Sequence, residues 1–252
     1  MLILIILIII FILSLIFIIK YKLFTGYILK NFKSCNVIVA GKKGTGKDLL
    51  FQYVIKKRKR ENYYANITYG YKYENVKLKD ISCAPNDYER IVNDEIIKQK
   101  PIFEENRDFY ISDIGIFLPS YMDSKLYKNF SSMPIFYALS RHLYNSNIHC
   151  NTQNIERGWK ALREQADFYC VTRGTIKLLG LLITKVTTYD KYSSAKEDLR
   201  PVKSRLLNKF SKAEVDIYKA SNGTIKEGFI IQTKHTIKYN TRAFKEILLT
   251  EE

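Results

Sequence analysis

The most apolar stretch of the chain is its beginning. From Met1 to Ile19 the sequence holds only Met, Leu, Ile and Phe, apart from Ser14. A helix rises about 1.5 Å per residue, so this stretch just crosses a hydrocarbon core of roughly 30 Å. A secretory signal peptide would need a basic start, a shorter apolar core and a cleavage site of small residues, and none is visible. The pattern therefore predicts one transmembrane helix at residues 1–20.

Basic residues follow this stretch, and none precedes it. Four of them lie before the next apolar run: Lys20, Lys22, Lys30 and Lys33. Because Lys and Arg are enriched in the cytoplasmic flanks of membrane helices, we expect the rest of the chain in the cytoplasm. Residues 21–34 are predicted to form a basic juxtamembrane linker and residues 35–252 a cytoplasmic domain. The expected location is a host or bacterial inner membrane, crossed once.

Short apolar runs alternate with helix-like stretches through the rest of the chain. The runs that predict strands are 37–40, 63–73, 109–113, 147–153, 167–173, 178–186 and 227–239. The stretches that predict helices are 47–60, 87–100, 133–143, 155–165 and 241–252, while the polar segment 190–213 predicts a loop or a helical insertion. Strands that alternate with helices favour a mainly parallel sheet with helices on both faces. We therefore predict a three-layer α/β domain.

The motif that carries chemistry lies between the first predicted strand and the helix after it. It reads Gly-Lys-Lys-Gly-Thr-Gly-Lys-Asp at residues 41–48, as in the P-loop of nucleotide-binding proteins. Glycines let the backbone curl so that N–H groups point at a phosphate, and the lysine reaches the β- and γ-phosphates. We predict that ATP is held by Gly41, Lys42, Lys43, Gly44, Thr45, Gly46, Lys47, Asp48 and Leu49.

The residue after the lysine departs from the usual P-loop. That position usually holds Ser or Thr as a magnesium ligand, whereas this chain has Asp48. A carboxylate could bind Mg²⁺ directly, but it also adds negative charge near the phosphates. The departure leaves it open whether the predicted site hydrolyses ATP.

A second acidic position follows the strand predicted at 109–113. This strand ends in Asp113, and a strand-end Asp supports magnesium in P-loop proteins. Asp94 and Glu95 form a competing pair, but their stretch is predicted to be helical. Ile114 stands where hydrolytic enzymes usually have a Glu that polarises the attacking water. We predict Asp48 and Asp113 as the Mg²⁺ site and Gln153, at the end of a later strand, as the γ-phosphate sensor.

The composition indicates a class of binding partner and a redox compartment. The net charge is +16, which suggests nucleic acid or an anionic membrane as a neighbour, although an AT-rich genome would also raise the lysine content. The basic run 56–60 either ends a helix or contacts acidic lipid or nucleic acid. The cysteines lack C-x-x-C spacing and indicate free thiols in a reducing compartment: Cys35, Cys83, Cys150 and Cys170.

Four segments in this order, 41–48, 64–68, 109–113 and 140–153, resemble the zonula occludens toxin-like ATPases. These are membrane-bound morphogenesis proteins of filamentous phages, within the FtsK/HerA-type P-loop group. The likeness includes Tyr-Ala-Asn-Ile at 64–67 and an Arg-His pair at 141–142 followed by a strand that ends in Thr-Gln. It extends over residues 36–173.

The resemblance implies an ATP hydrolase that forms a ring-like homo-oligomer in the host inner membrane. Such a protein couples hydrolysis to the extrusion of single-stranded DNA with phage coat protein. By the same resemblance, Lys47 contacts phosphate, Asp113 supports Mg²⁺ and Gln153 is the sensor. An arginine finger that reaches a neighbouring subunit would come from one of four residues: Arg141, Arg157, Arg163 or Arg173.

Two features differ from the family pattern and keep alternatives open. One is Asp48, and the other is a span that comes before the ATPase domain, whereas family members often place it after. A DNA-packaging or conjugation-type DNA translocase is one alternative. A nucleotide-binding scaffold that does not hydrolyse ATP is another.

Overall fold

A computed structural model of the chain describes residues 2–58, 63–67, 69, 73–75, 90–92, 95–97, 103–122, 124–125, 133–191, 195 and 225–234. Its helices are α1 (Leu2–Ser34), α2 (Lys47–Arg58), α3 (Ile114–Phe117), α4 (Met133–Tyr144) and α5 (Lys160–Arg163). Its strands are β1 (Val37–Ala40), β2 (Tyr63–Ala65), β3 (Tyr73–Asn75), β4 (Arg90–Val92), β5 (Glu95–Ile97), β6 (Phe109–Ile111), β7 (Ile148–Thr152), β8 (Phe168–Leu178), β9 (Leu181–Tyr189) and β10 (Ile225–Thr233). Two 3₁₀ turns lie at Ser120–Met122 and Ile155–Arg157.

Eight of these strands form one mixed sheet, in the order β10-β9-β8-β1-β7-β6-β2-β3. The six strands from β8 to β3 run parallel, and β9 and β10 add an antiparallel edge. All four residues of β1 are buried, as a continuous apolar run requires in a parallel strand that is covered on both faces. The predicted mainly parallel sheet is confirmed.

Alternate residues of β1 point into two separate cores. Ile38 and Ala40 belong to the core on the side of α4 and α5, while Val37 and Val39 belong to the core on the side of α1 and α2. The sheet therefore lies between two helical layers, which confirms the three-layer prediction. Since all the parallel strands end at one edge, their carboxyl ends build a single rim, and β1 delivers the loop at 41–48 to its centre.

The first helix joins the apolar start of the chain to the domain without a break. Residues 3–19 are exposed, whereas Phe24, Ile28 and Phe32 are buried against the sheet. Their spacing of four residues places them on one face of the helix. Residues 21–34 are thus not a linker but the packed end of α1. In the part of the chain that the structure describes, α1 alone is long and apolar enough to cross a membrane, with a mean hydropathy of 3.4 in its most apolar window.

Four predicted helices or strands differ from the structure. The described residues of the segment 87–100, Arg90–Val92 and Glu95–Ile97, form the antiparallel strands β4 and β5 and not a helix, with Ile91 opposite Ile96 in the register. The helix expected at 155–165 is divided by Gly158, which is extended and bridges to Pro119. The apolar run at 178–186 is a turn followed by β9, and the strand expected at 63–73 stops at β2 before β3 begins.

Three other predictions concern residues that are wholly or mostly outside the described part of the chain. They are the segment 190–213, the tail helix at 241–252 and Asp94 of the competing acidic pair. Glu95 of that pair begins β5.

Candidate nucleotide-binding site

The loop at 41–48 curls directly after β1 and leads into α2. Gly44 and Gly46 have φ angles of 79° and 99°, which L-residues with a side chain rarely adopt. A Cβ on Gly46 would lie 2.5 Å from Thr175 Oγ1, and a Cβ on Gly41 would overlap Thr172. The glycines therefore have two roles: they allow the turn itself, and they allow the loop to approach β8 closely.

Threonines on β8 and β9 fasten this loop. Thr45 Oγ1 and Thr172 Oγ1 lie 2.7 Å apart, and Thr175 Oγ1 donates to the backbone oxygen of Thr45 at 3.2 Å. Thr175 also shares a 2.9 Å hydrogen bond with Thr184. The loop is consequently held in its curled form by the sheet, before any phosphate is bound. Sequence analysis missed this clamp because its members lie more than a hundred residues after the loop.

The P-loop lysine is buried, and within the described residues its hydrogen-bond partners are backbone carbonyls. Lys47 is 7% exposed, and its Nζ donates to the backbone oxygens of Gly41 at 3.2 Å and Lys42 at 3.4 Å. Both bonds are long for a charged donor. A phosphate oxygen would be a stronger partner for this cation, so the geometry suits exchange of the carbonyls for a ligand anion.

Asp48 accepts three side-chain hydrogen bonds at its Oδ1. The donors are Asn151 Nδ2 at 2.8 Å, Ser112 Oγ at 3.0 Å and the Tyr69 hydroxyl at 3.2 Å. The donors also contact one another, because Asn151 Nδ2 lies 3.0 Å from Ser112 Oγ, and Ser112 Oγ is in contact with the Tyr69 hydroxyl. Asp48 is therefore the centre of a polar network that ties the start of α2 to the ends of β6 and β7.

Tyr69 stays a neutral hydrogen-bond donor in this network. Burial raises the pKa of Tyr69 well above its ordinary value, and the nearby Asp48 carboxylate raises it further. The tyrosine is fully buried, so its hydroxyl needs a partner of this kind. Its position in the network is therefore compatible with a negative charge on Asp48 and not on Tyr69.

Asp113 lies where the sequence predicts it, two residues after β6. Its backbone is left-handed, with φ of 52°, a conformation that Asp tolerates better than most residues. Its N–H donates to Asn151 Oδ1 at 2.8 Å, so the amide of Asn151 bridges Asp113 and Asp48. Burial raises the pKa of Asp113, the Lys47 cation lowers it and the Asp48 carboxylate raises it again. The three charged groups of the predicted site are thus close enough to affect one another.

The donor set fits a magnesium ion that arrives with a nucleotide. Mg²⁺ is usually held by one or two carboxylates together with phosphate oxygens and water, and not by a cage of protein ligands. Within the described residues, no group of three or more His, Cys, Asp or Glu side chains could hold a metal ion. All three hydrogen bonds to Asp48 described above go to Oδ1, so Oδ2 has no hydrogen-bond partner among the described residues.

Gln153 and Arg157 lie at the same rim of the sheet as the loop. Gln153 is exposed and directly follows Thr152, whose backbone oxygen accepts from Gly41 N at 3.2 Å. Arg157 is exposed, and its Cβ lies close to Gly115, two residues after Asp113. Both side chains are therefore exposed at the rim that carries the loop.

The structure does not bring Arg141 or Arg163 to the loop. Arg141 donates to the backbone oxygen of Ser34, which precedes β1 at the opposite rim. Arg163 is partly buried and donates to Glu156 O at 2.6 Å in the helical layer. Arg173 lies on β8, with its guanidinium 3.4 Å from Thr187 Oγ1 and from the Tyr189 hydroxyl.

Sequence analysis also missed four polar residues that build the site: Asn66, Tyr69, Ser112 and Asn151. Asn66 Oδ1 accepts from Ser112 N at 2.8 Å, and Asn66 Nδ2 donates to Ser112 O at 3.0 Å, which joins the ends of β2 and β6. A signal for three of them was present. Polar residues that end neighbouring parallel strands meet at one rim of a sheet.

No family model matches the chain, and no curated protein gives a significant match. Among solved structures, the chain is similar to the N-terminal domain of zonular occludens toxin from Neisseria meningitidis, with 10% identity and a TM-score of 0.43 over 83% of this chain and 97% of that one. It is also similar to the genome packaging NTPase B204 from Sulfolobus turreted icosahedral virus 2 in complex with AMPPCP. That match has 15% identity and a TM-score of 0.37 over 82% of this chain and 96% of that one.

The first of these structures comes from the group that the sequence motifs resemble. At such low identities and TM-scores, neither likeness carries an argument about the activity of this chain. The sheet order, the curled loop after the central strand, Lys47 and the strand-end Asp113 are features of the chain itself. Together they make it a three-layer α/β domain of the P-loop NTPase type.

Proposed function

We propose that the chain is a membrane-anchored P-loop ATPase that powers the assembly and export of a filamentous phage. The observation that carries the ATPase part is one arrangement of charges at the loop. Within the described residues, the Lys47 cation hydrogen-bonds only backbone carbonyls, and the Asn151 side chain joins the Asp48 carboxylate to the backbone N–H of Asp113. A cation for phosphate next to two carboxylates for Mg²⁺ is the set of groups that an ATP–Mg²⁺ complex requires.

The chain's own residues divide the work of binding in a simple way. Backbone N–H groups of the loop and the amino end of α2 receive the phosphates, since a helix start carries partial positive charge. Lys47 then exchanges its two carbonyl partners for phosphate oxygens. Asp48 and Asp113 would hold Mg²⁺, which would supply charge neutralisation for the phosphates.

The attacking water needs a different partner from the usual glutamate. Ile114 occupies the position after Asp113 and is 1% exposed, so it offers no polar group. Gln153 lies at the same rim, next to the residue that hydrogen-bonds the loop, and its amide is suited to orient a water near the γ-phosphate. Of the four arginines, we assign Arg157 the role of contacting nucleotide, in its own subunit or in a neighbour of the ring.

The export part of the proposal rests on the sequence resemblance, the apolar helix and the charge. Residues 3–19 of α1 are exposed and apolar, and the rest of α1 packs into the domain. A span joined in this way holds the ATPase domain at the membrane through which a virion would leave. A net charge of +16 suits single-stranded DNA as the polymer that is moved.

The test is ATP turnover by the full chain in lipid nanodiscs, with and without single-stranded DNA. The variant is Lys47→Ala, and the matched control is Lys56→Ala, which removes an exposed lysine from the other end of α2. We expect turnover in the wild type and in Lys56→Ala, and background turnover in Lys47→Ala. Background turnover in all three proteins, with DNA present, would contradict hydrolysis.

The second candidate function is a nucleotide-binding scaffold that does not hydrolyse. Two observations favour it: Oδ1 of Asp48 is held by three donors, and Ile114 is buried where an acid is usual. Tight binding of labelled ATP by the wild type and not by Lys47→Ala, without release of phosphate, would establish this reading in place of the ATPase.

A further inference from the structure

The turn between β8 and β9 carries the most exposed apolar side chain among the described residues. Leu179 is 95% exposed, and its neighbours Ile176 and Leu178 are 65% and 53% exposed. Leu179 has a φ of 46° and Gly180 one of 76°, so the turn projects the leucine outward. A cluster of this kind at the end of a hairpin usually marks a contact with an apolar partner.

The position of α1 on the sheet indicates that the apolar partner is the lipid bilayer. Near its end, α1 packs Phe32 against His149, which pairs with Val37 at the start of β1. Two turns earlier, Phe24 packs against Gly228, which is level with Thr172, beyond the end of β1. Followed from Phe32 back to Phe24, α1 therefore runs toward the carboxyl rim of the sheet and leaves the domain there. The hairpin tip projects from the same rim.

Measured from the level of Thr172, the tip extends further beyond the carboxyl rim than Lys20, which directly follows the apolar part of α1. Lys20, the first charged residue after that part, lies four residues before Phe24, which is about 6 Å along a helix. Leu179 lies seven residues beyond Thr172, which is roughly 20 Å along a strand and somewhat less where β8 is bulged. Any angle between the helix and the strands reduces the distance by which the tip extends beyond Lys20. The tip then reaches the interfacial depth of the same bilayer.

Two lysines accompany the apolar residues of the tip. Lys177 lies between Ile176 and Leu178, and Lys234 donates its backbone N–H to Gly180 O at 2.8 Å. Both lysine side chains are exposed. Apolar side chains flanked by lysines are typical of segments that enter a membrane interface, where the ammonium groups reach lipid phosphates.

We propose that the tip of the β8–β9 hairpin, Ile176–Leu179, inserts into the interface of the bilayer that α1 crosses and so forms a second membrane contact. This inference rests on the proposed membrane anchoring by α1. The same hairpin carries Thr175 and Thr184, which clamp the P-loop. The second contact thus fixes the nucleotide site near the membrane surface, with the opposite rim of the sheet facing away.

The test is quenching of a fluorophore by lipid-borne doxyl groups in vesicles of phosphatidylcholine and phosphatidylglycerol. The full chain carries Cys35→Ser and Cys83→Ser; the thiols of Cys150 and Cys170 are buried, and burial raises their pKa, so they react slowly. The label is placed by Leu179→Cys at the tip, by Leu13→Cys in α1 or by Glu105→Cys, which is exposed just before β6 at the opposite rim.

We expect doxyl lipids to quench the label in the Leu13→Cys and Leu179→Cys variants and to leave it unchanged in Glu105→Cys. Quenching at position 13 without quenching at position 179 would overturn the second contact and leave the anchor intact. A label at position 179 that is shielded from water but not quenched would show a protein partner, such as a second copy, and would overturn the proposal as well. If position 13 is not quenched, the anchor itself fails, and the inference fails with it.

Discussion

Each rim of the sheet, at the amino ends and at the carboxyl ends of the parallel strands, contains an aspartate that accepts several hydrogen bonds, but the partners of the two aspartates differ in charge. At the amino rim, Asp108 is fully buried and forms an ion pair with Arg58. At the carboxyl rim, the donors to Asp48 are a tyrosine, a serine and an asparagine, all neutral. The Asp108 carboxylate is thus paired with a cation, whereas the hydrogen bonds to the Asp48 carboxylate come from neutral groups.

The amino rim shows what a purely structural cluster is like. Asp108 Oδ1 accepts from the backbone of Asn147 at 3.1 Å, and Arg58 Nη1 also donates to the backbone oxygen of Phe32 at 2.8 Å. Asn147 in turn donates to Lys33 O at 2.9 Å. These bonds join α1, α2, β6 and β7, and they leave no charge for a ligand. Removing a member should therefore change stability and not chemistry.

The carboxyl rim shows what a site for a ligand requires. Within the described residues, neither Asp48 nor Asp113 forms an ion pair, and the one buried cation nearby, Lys47, bonds carbonyls instead. A polyanion with a divalent cation would satisfy all three groups at once. The difference between the rims is therefore the physical basis for placing function at one and not the other.

The largest effect on stability is expected at the amino rim, from Arg58→Ala. Loss of the guanidinium leaves Asp108 buried without its cation, which costs about 3–5 kcal/mol. Urea unfolding of the full chain in detergent, followed by circular dichroism, measures the change, with Lys56→Ala as the matched control. If Arg58→Ala unfolds at the same urea concentration as Lys56→Ala, the amino rim is not the structural cluster described here.

A smaller effect on stability is expected from replacing loop glycines with alanine, and Gly44→Ala should cost less than Gly46→Ala. Gly44→Ala places a side chain at φ 79° with nothing within 4 Å, so we expect only the strain of a left-handed residue, about 1–2 kcal/mol. Gly46→Ala adds a clash with Thr175 and Thr184, which typically costs a further ~1–3 kcal/mol, and it detaches the loop from β8. Unfolding in urea and binding of labelled ATP measure both variants. Equal losses would show that the threonine clamp does not hold the loop.

The smallest expected effect is a change in pH dependence at Asp113. Burial and the neighbouring Asp48 raise its pKa from the ordinary 3.8, although Lys47 opposes them. The folded state then binds more protons than the unfolded state between the two pKa values, so this group makes the free energy of unfolding fall as pH rises through that window. We expect Asp113→Asn to remove that part of the slope. A slope unchanged from the wild type would show that Asp113 is solvated like a surface carboxylate.

The sequence predicts the fold well where the signal is local. The apolar run of β1, the glycines after it, the strand end at Asp113 and the helix at 133–143 each depend on neighbouring residues, and the structure confirms their places. Local patterns failed at 87–100, where the described residues of a mixed apolar and charged segment form two antiparallel strands. They failed again at 21–34, because the sequence shows the lysines of α1 but not the sheet that buries its other face.

The partners of Asp48 could not be predicted in the same way. Tyr69, Ser112 and Asn151 lie 21, 64 and 103 residues away in the chain and meet Asp48 only through the strand order β1-β7-β6-β2. The departure from Ser or Thr at position 48 therefore looks like a defect in the sequence alone. In the structure it is a hydrogen-bonded carboxylate at the mouth of the loop.

If the carboxylates of Asp48 and Asp113 act on nucleotide through Mg²⁺, ATP affinity must depend on Asp48 only when Mg²⁺ is present. The full chain is titrated with labelled ATP in Mg²⁺ and in EDTA, as wild type, Asp48→Asn and the control Glu105→Gln. We predict that Asp48→Asn weakens binding at least about tenfold in Mg²⁺, equivalent to ~1.4 kcal/mol, and leaves it unchanged or tighter in EDTA, where the carboxylate only repels phosphate. Equal effects of Asp48→Asn in Mg²⁺ and EDTA would contradict the claim.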